Sequence, residues 1–348
     1  MKTEFVRIDE TRPLSDQMSR AAEIIRRGGL VAFPTETVYG LGGNGLNAEA
    51  SRAIYAAKGR PSDNPLILHI DEPTKAERYA ITNETYYALA RHFMPGPLTV
   101  ILPKKDIVPD STTGGLDSVA LRCPENPIAH AFLVACDLPI AAPSANLSGK
   151  PSPTTAEHVR DDMDGRIEMI LDGGPCEIGV ESTIVKITDA GVTLLRPGAI
   201  TAEMLRAVVP EVSVDPTVTE KPSEDLRPQA PGMKYRHYAP NAPVFLLCDD
   251  GTDDFDARAI RFLSENKRDG AGILCFEEYL PVLAGEKTLS LGAKADEKAH
   301  AHRLFAALRE LDKLPIKAIY ATVAKTDGEG LAFYNRMLKA SGYHFVTV

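Results

Sequence analysis

The sequence predicts an α/β fold in two domains, a larger one built on a mixed sheet and a smaller one beyond a linker. Apolar runs of strand length alternate with segments of helical periodicity along most of the chain. At 348 residues the chain exceeds the size at which a single core stops growing. Between Val209 and Pro243 the alternation gives way to a stretch rich in Pro, Glu, Ser and Thr. The expected boundaries are residues 1–208 for the first domain, 209–242 for the linker and 243–348 for the second domain.

In chain order, Leu14, Met18, Ala21, Ala22, Ile24 and Ile25 recur at helical spacing up to Arg27, and Gly28-Gly29 stops the helix. Leu30 to Phe33 is a buried strand closed by Pro34. A helix near Ala48 to Ala57, a strand at Leu66 to Ile70, a helix at Glu84 to Phe93 and a strand at Leu98 to Leu102 continue the alternation. Strands at Val119 to Arg122 and Pro139 to Ala142 flank a helix at Pro127 to Cys136, and two more strands cover Ser182 to Ile187 and Val192 to Leu195. Beyond the linker, Val244 to Cys248, Gly272 to Phe276 and Ala318 to Val323 read as strands. Helices at Phe255 to Lys267, Ala295 to Leu314 and after Gly330 separate them, a Rossmann-like layout without G-x-G-x-x-G.

Composition excludes several classes. Apolar residues make up 44% and charged residues 25%, ordinary for a globular protein, and no run is long enough to span a bilayer. MKTEFVRIDE has no apolar stretch of signal-peptide type, so a cytoplasmic placement is expected. A net charge of -9 argues against a protein whose main work is holding nucleic acid by its phosphates. Cys123, Cys136, Cys176, Cys248 and Cys275 are odd in number and contain no C-x-x-C pair, so neither a disulfide framework nor a zinc site is indicated.

Small polar and basic groups gather just past the strands, where open α/β sheets bind ligands. Pro34-Thr35-Glu36-Thr37-Val38-Tyr39-Gly40-Leu41-Gly42 offers hydroxyls, with glycines that either let backbone approach a ligand or simply make a turn. Lys58 and Arg60 straddle Gly59; they suit polyphosphate or merely complement a helix C-terminus. No Walker loop occurs. His69 lies in the next strand, as a ligand contact or a satisfied core histidine. Arg122 ends an apolar strand after Ser118 and needs a carboxylate or phosphate partner, from ligand or protein. Ala142-Pro143-Ser144-Ala145-Asn146 follows another strand and lacks the context of a nucleophile elbow. Ser182-Thr183 and Arg196-Pro197-Gly198 complete the set. Inside the linker, Pro231-Gly232-Met233-Lys234-Tyr235-Arg236-His237-Tyr238-Ala239-Pro240 concentrates aromatic and cationic groups suited to stacking and anion contact.

These segments, in this order, resemble the L-threonylcarbamoyladenylate synthase family in its two-domain form. PTETVYGLG, KGRP with NPL and His69, FMPGPLT, ALRCP, PSAN with SG, ESTIV and LRPG resemble the catalytic domain, and PGMKYRHYAP resembles the interdomain motif. The resemblance implies a YrdC-like twisted mixed sheet with helices, followed by a linker and the smaller Rossmann-like domain. It implies a nucleotidyltransferase of tRNA processing that makes threonylcarbamoyl-AMP and pyrophosphate from ATP, L-threonine and bicarbonate. Partner proteins then modify an adenosine of tRNAs reading ANN codons, so that tRNA contact is indirect or transient. Thr37, His69, Arg122, Ala142 and Ser182, with Thr35 close by, are implied for threonine. Lys58, Arg60, Asn64, Ser118, Ser144, Ser152 and Arg196 are implied for ATP, with Lys58 and Arg60 catalytic. Tyr235, His237 and Tyr238 join the nucleotide set in an expected lid, docking of one domain on the other being the alternative. Mg2+ is expected to arrive with ATP, without a metal cage or a tightly bound organic cofactor. The competing readings are a carbamoyltransferase, whose zinc-finger and acylphosphatase-like segments do not occur here, and an RNA-binding module, which the acidic balance disfavours.

Overall fold

The computed structural model describes residues 2–9, 11–223, 225, 227–233, 237–323 and 327–348. The chain divides into two compact units, one of residues 1–148 and 152–234, the other of residues 149–151 and 235–348.

The strands of the first unit are β1 (Glu4–Arg7), β2 (Val31–Phe33), β3 (Gly40–Asn44), β4 (Ile67–His69), β5 (Leu98–Pro103), β6 (Ser118–Arg122), β7 (Ile140–Ala142), β8 (Met169–Asp172), β9 (Thr183–Thr188), β10 (Gly191–Arg196) and β11 (Val212–Val214). Among the described residues they form one mixed sheet in the order β1-β8-β2-β3-β7-β4-β6-β5-β9-β10-β11. Helix starts are fixed locally. Asn47 accepts from the amides of Glu49 and Ala50 at the head of Ala48–Lys58, Asn83 from Tyr86 ahead of Glu84–Phe93, and Asn126 from Ile128 and Ala129 ahead of Pro127–Cys136. Gly59 closes the first of these with φ +62, a left-handed conformation that glycine adopts without a Cβ penalty. Each of these helices follows the spacing expected of it.

Several elements differ from expectation. The helix expected over Leu14 to Arg27 is two, Leu14–Gln17 and Ser19–Arg26, with the fully buried Met18 between them. The Gly40-Leu41-Gly42 segment is not a turn but the start of β3, antiparallel to both β2 and β7. Its glycines serve packing: a Cβ on Gly42 would stand 2.8 Å from Ile140 Cγ2 and 3.0 Å from Phe33 Cε1. The helix Ala156–Met163 buries Ala156, Val159 and Met163 at i, i+3 and i+7, a stripe set among five charged or imidazole side chains. Within the interval expected as linker, β11 runs parallel to β10, and Ala230 and Met233 are buried.

Two cores sandwich the sheet. Leu41, Leu68, Val100, Leu121, Ala141 and Val185 point into the larger one. On the opposite face, Phe33, Ile140 and Ala142 pack with Ile25 and Phe132 from the helices Ser19–Arg26 and Pro127–Cys136. Further along that face Ile67, Ile101, Ala120, Ile184 and Leu195 pack with Ala230 and Met233. Alternation along each strand puts His69 beside Ile67, Arg122 beside Ala120 and Thr99 beside Ile101, all on this second face.

In the second unit β12 (Val244–Cys248), β13 (Gly272–Cys275), β14 (Thr288–Ser290), β15 (Ile319–Val323) and β16 (Phe345–Val346) form a parallel sheet ordered β14-β13-β15-β12-β16. This is the expected alternating layout, although the fourth strand enters between the second and the first, unlike the 3-2-1 run of a dinucleotide-binding half. Helices Phe255–Arg268, Glu297–Leu311 and Gly330–Ser341 connect the strands. Among the described residues no helix is long and apolar enough to cross a membrane.

Candidate functional site

Strand register assembles the site. His69 on β4 lies opposite Ile140 on β7 and Arg122 on β6; Arg122 lies opposite Thr99 on β5; Thr99 lies opposite Ile184 on β9; and Ile184 lies opposite Arg196 on β10. One transverse row of the sheet thus brings together a histidine, two arginines and a hydroxyl from strands far apart in sequence. All four polar side chains are buried. Ser182, just ahead of β9, shares a hydroxyl contact of 2.8 Å with Thr99 and accepts from Arg196 Nη2 at 3.1 Å, while Arg196 Nε donates to the Ser182 carbonyl at 3.0 Å.

Burial, with help from the Arg122 guanidinium, pushes the His69 imidazole down to about 3, so it is neutral near pH 7. Its Nδ1 lies 3.2 Å from the Ile67 carbonyl, and its ring meets Phe33 edge-on at 6.0 Å. A neutral imidazole in this place is a hydrogen-bonding group and adds no charge to the arginines.

The loop after β2 closes over the row. Thr35 Oγ1 donates to the Val38 carbonyl at 2.6 Å, accepts from the amides of Thr37 and Val38, and lies 2.9 Å from Thr37 Oγ1. This turn holds Glu36 against Arg122, whose Nη2 donates to Glu36 Oε1 at 2.6 Å. Arg122 therefore has its carboxylate partner within the protein. The pair does not saturate itself: Arg122 Nε and Glu36 Oε2 are buried and without a hydrogen-bond partner among the described residues.

The two basic residues of the KGR segment take different paths. Lys58 is the last residue of its helix, yet its Nζ donates to the carbonyls of Ser144 and Asn146 and joins this loop to the one after β7. Ser144 Oγ donates to Asn146 Oδ1 at 2.5 Å. Arg60 folds back on its own loop, donating to the carbonyls of Asn64 and Pro65, and the buried Asn64 Oδ1 has no partner among the described residues. Ala142 ends β7 opposite Ile67, next to the Gly40 to Ser144 bridge. Ser152, fully buried, donates to Glu181.

Ser118 lies at the other end of β6 from Arg122, roughly 13 Å away at ~3.3 Å per residue. There it lines a surface cleft with Lys186, Arg227 and Gln229. Tyr235 lies outside the described residues. The Tyr238 ring is buried in the second unit, 5.2 Å from Phe305 and under the Arg336 guanidinium at 5.5 Å, and His237 leans on it at 5.5 Å. Sequence reasoning passed over Glu36, Thr99 and Glu181. Glu36 had a visible signal, an acid flanked by two hydroxyls directly after a buried strand. Thr99 had none, because only register carries it into the row.

A mixed-sheet α/β unit with buried arginines, a neutral histidine and hydroxyls on one face is chemically suited to a small anionic molecule. A family model described as "Telomere recombination" (Sua5_yciO_yrdC) matches residues 23–198, and one described as "Threonylcarbamoyl-AMP synthase, C-terminal domain" matches residues 200–342. The threonylcarbamoyl-AMP synthase of Bacillus subtilis is 44% identical over 98% of this chain and 99% of its own length. That of Pyrococcus abyssi is 45% identical over 94% of this chain and 95% of its own. The crystal structure of P. abyssi Sua5 complexed with L-threonine has a TM-score of 0.91 and 42% identity, and covers all of both chains. The chain belongs to the two-domain threonylcarbamoyl-AMP synthase family.

Proposed function

We infer that this chain converts ATP, L-threonine and bicarbonate into threonylcarbamoyl-AMP and pyrophosphate, and that the activated group is destined for an adenosine of tRNAs reading ANN codons. The observation that carries the reading is the buried row of His69, Arg122, Thr99 and Arg196 in a chain so similar, end to end, to a structure complexed with L-threonine. In this reading Thr35, Thr37, His69, Arg122, Ala142 and Ser182 form the amino-acid site. Lys58, Arg60, Asn64, Ser118, Ser144, Ser152 and Arg196 hold ATP. Tyr238 packs on Phe305 and Arg336 within the second unit.

The chemistry asks for positioning and charge stabilisation. Bicarbonate takes up a proton and loses water to give CO2, the neutral amine adds to CO2 and releases a proton to solvent, and the carbamate oxygen then attacks the α-phosphate in line, forming the new P–O bond as the bond to pyrophosphate breaks. Lys58 and Arg60 are phosphate binders, a point charge and a planar fork, and their ammonium and guanidinium are not metal ligands. Mg2+ accordingly enters on the nucleotide, where it offsets phosphate charge. Proteins that carry the group to tRNA, and a cytoplasmic site of action, belong to the same proposal.

Mass spectrometry of products formed from ATP, bicarbonate and each amino acid in turn tests it. A threonylcarbamoyl-AMP peak with threonine alone supports the reading, and pyrophosphate release independent of amino acid refutes it.

A further inference from the structure

We propose that Glu36 is the receptor for the ammonium group of the amino-acid substrate, so that Glu36 and Arg122 together read a zwitterion. The proposal rests on the amino-acid site inferred above and names the part of it that handles the amine.

The argument begins with hydrogen-bond accounting. Arg122 and Glu36 are both more than nine-tenths buried, and a single contact joins them, Nη2 to Oε1 at 2.6 Å. A guanidinium offers five donors in a plane and an ionised carboxylate about four acceptor sites. An arginine dedicated to a protein carboxylate engages it side-on through two parallel bonds, which uses both oxygens. Here the end-on contact leaves one donor, Arg122 Nε, and one acceptor, Glu36 Oε2, buried and without partners among the described residues. Each such group is costly to bury unsatisfied, and a charged one more so than a neutral one. A buried ion pair also stabilises little unless its remaining lone pairs and protons are met.

The two leftover atoms are complementary to one kind of molecule. Nε offers an N–H to a carboxylate, and Oε2 offers a lone pair to an ammonium. An α-amino acid carries both groups on one carbon. A phosphate or a simple carboxylic acid would satisfy Nε and face Glu36 with like charge. Neutral His69, on the strand beside Arg122, adds no competing charge. Three hydrogen bonds of Thr35 Oγ1 to Val38 and Thr37 fix the turn that carries Glu36 against Arg122, so the carboxylate is held in place before a ligand arrives.

The test uses the full chain and calorimetric titration with L-threonine and with (2S,3R)-2,3-dihydroxybutyrate, which replaces the ammonium by a hydroxyl. In Glu36→Gln, threonine affinity is expected to fall at least tenfold while affinity for the hydroxy acid, which no longer faces a like charge, is unchanged or rises. Equal loss of both ligands would mean that Glu36 acts only by orienting Arg122, and unchanged threonine binding would mean that it does not meet the amine; either result overturns the proposal. Should Glu36→Gln fail to fold, the wild-type chain still decides. Threonine must bind at least tenfold more tightly than the hydroxy acid, and equal affinities overturn the assignment. Absence of saturable threonine binding to the wild type sinks the amino-acid site itself, a failure distinct from that of Glu36.

Discussion

At the scale of single residues, the site is built from groups that fold at a cost, and that cost can be measured. His69 remains neutral in the folded chain down to about pH 3, whereas in the unfolded chain it takes up a proton near 6.5. The folded-state value is the lower one, so the unfolded state gains a proton that the folded state refuses, and stability falls as pH drops below about 6.5. The slope from this residue is at most about 1.4 kcal/mol per pH unit. Urea midpoints between pH 6.5 and 5 should decline in the wild type and decline less in His69→Gln; parallel declines would remove His69 from the account. Arg122→Ala leaves Glu36 buried without its countercharge and should cost about 3–5 kcal/mol of stability, with loss of threonine-dependent pyrophosphate release. Replacing both, Arg122→Met with Glu36→Gln, should recover most of the stability and none of the activity. Recovery of activity in the double variant would show that the pair is structural only.

Among the elements, β3 carries the clearest lesson about what a sequence displays. Gly42→Ala places a Cβ within 2.8 Å of Ile140 and 3.0 Å of Phe33, and 3.2 Å from the Val31 carbonyl. Overpacking of this kind should cost about 1–3 kcal/mol, read as a lowered denaturation midpoint, without any ligand present. An unchanged midpoint would return these glycines to ligand approach as their reason. β2, β5 and β6 were legible because Val, Ile, Leu and Phe in short runs signal a buried strand unaided. GLGGN carries no such signal; it is a strand because β2 and β7 flank it, information held elsewhere in the chain. The candidate residues were legible in the same divided way. Lys58, His69, Arg122 and Arg196 stand out by chemical type, yet the row that joins His69 to Arg196 follows from pairing strands in the order β7-β4-β6-β5-β9-β10, which no local pattern encodes. The family resemblance grouped His69 with Arg122 but set Arg196 apart and did not single out Thr99; their meeting in one row comes from register.

On the scale of the whole molecule, the segment from Val209 to Met233 decides what the first unit needs in order to stand alone. Its composition reads as a tether, but β11 extends the sheet beside β10, and Ala230 and Met233 cover Ile67, Ile101, Ala120, Ile184 and Leu195. These five apolar side chains lie on the same face as His69 and Arg122, so the cover is continuous with the site. Arg227 donates to the Gly114 and Gly115 carbonyls, and Gln229 accepts from Lys186, so polar contacts fasten the same segment to two further parts of the unit. A chain ending at Met233 should therefore fold with its cores intact, whereas one ending at Val208 exposes an apolar patch next to the face that carries His69 and Arg122. The shorter form is expected to bind a hydrophobic dye strongly, to elute as an aggregate and to lose threonine binding. The form ending at Met233 should be monodisperse with a cooperative melt. If both truncations melt alike and remain monodisperse, the segment is a tether after all, and the apolar contacts of Ala230 and Met233 contribute nothing the unit requires.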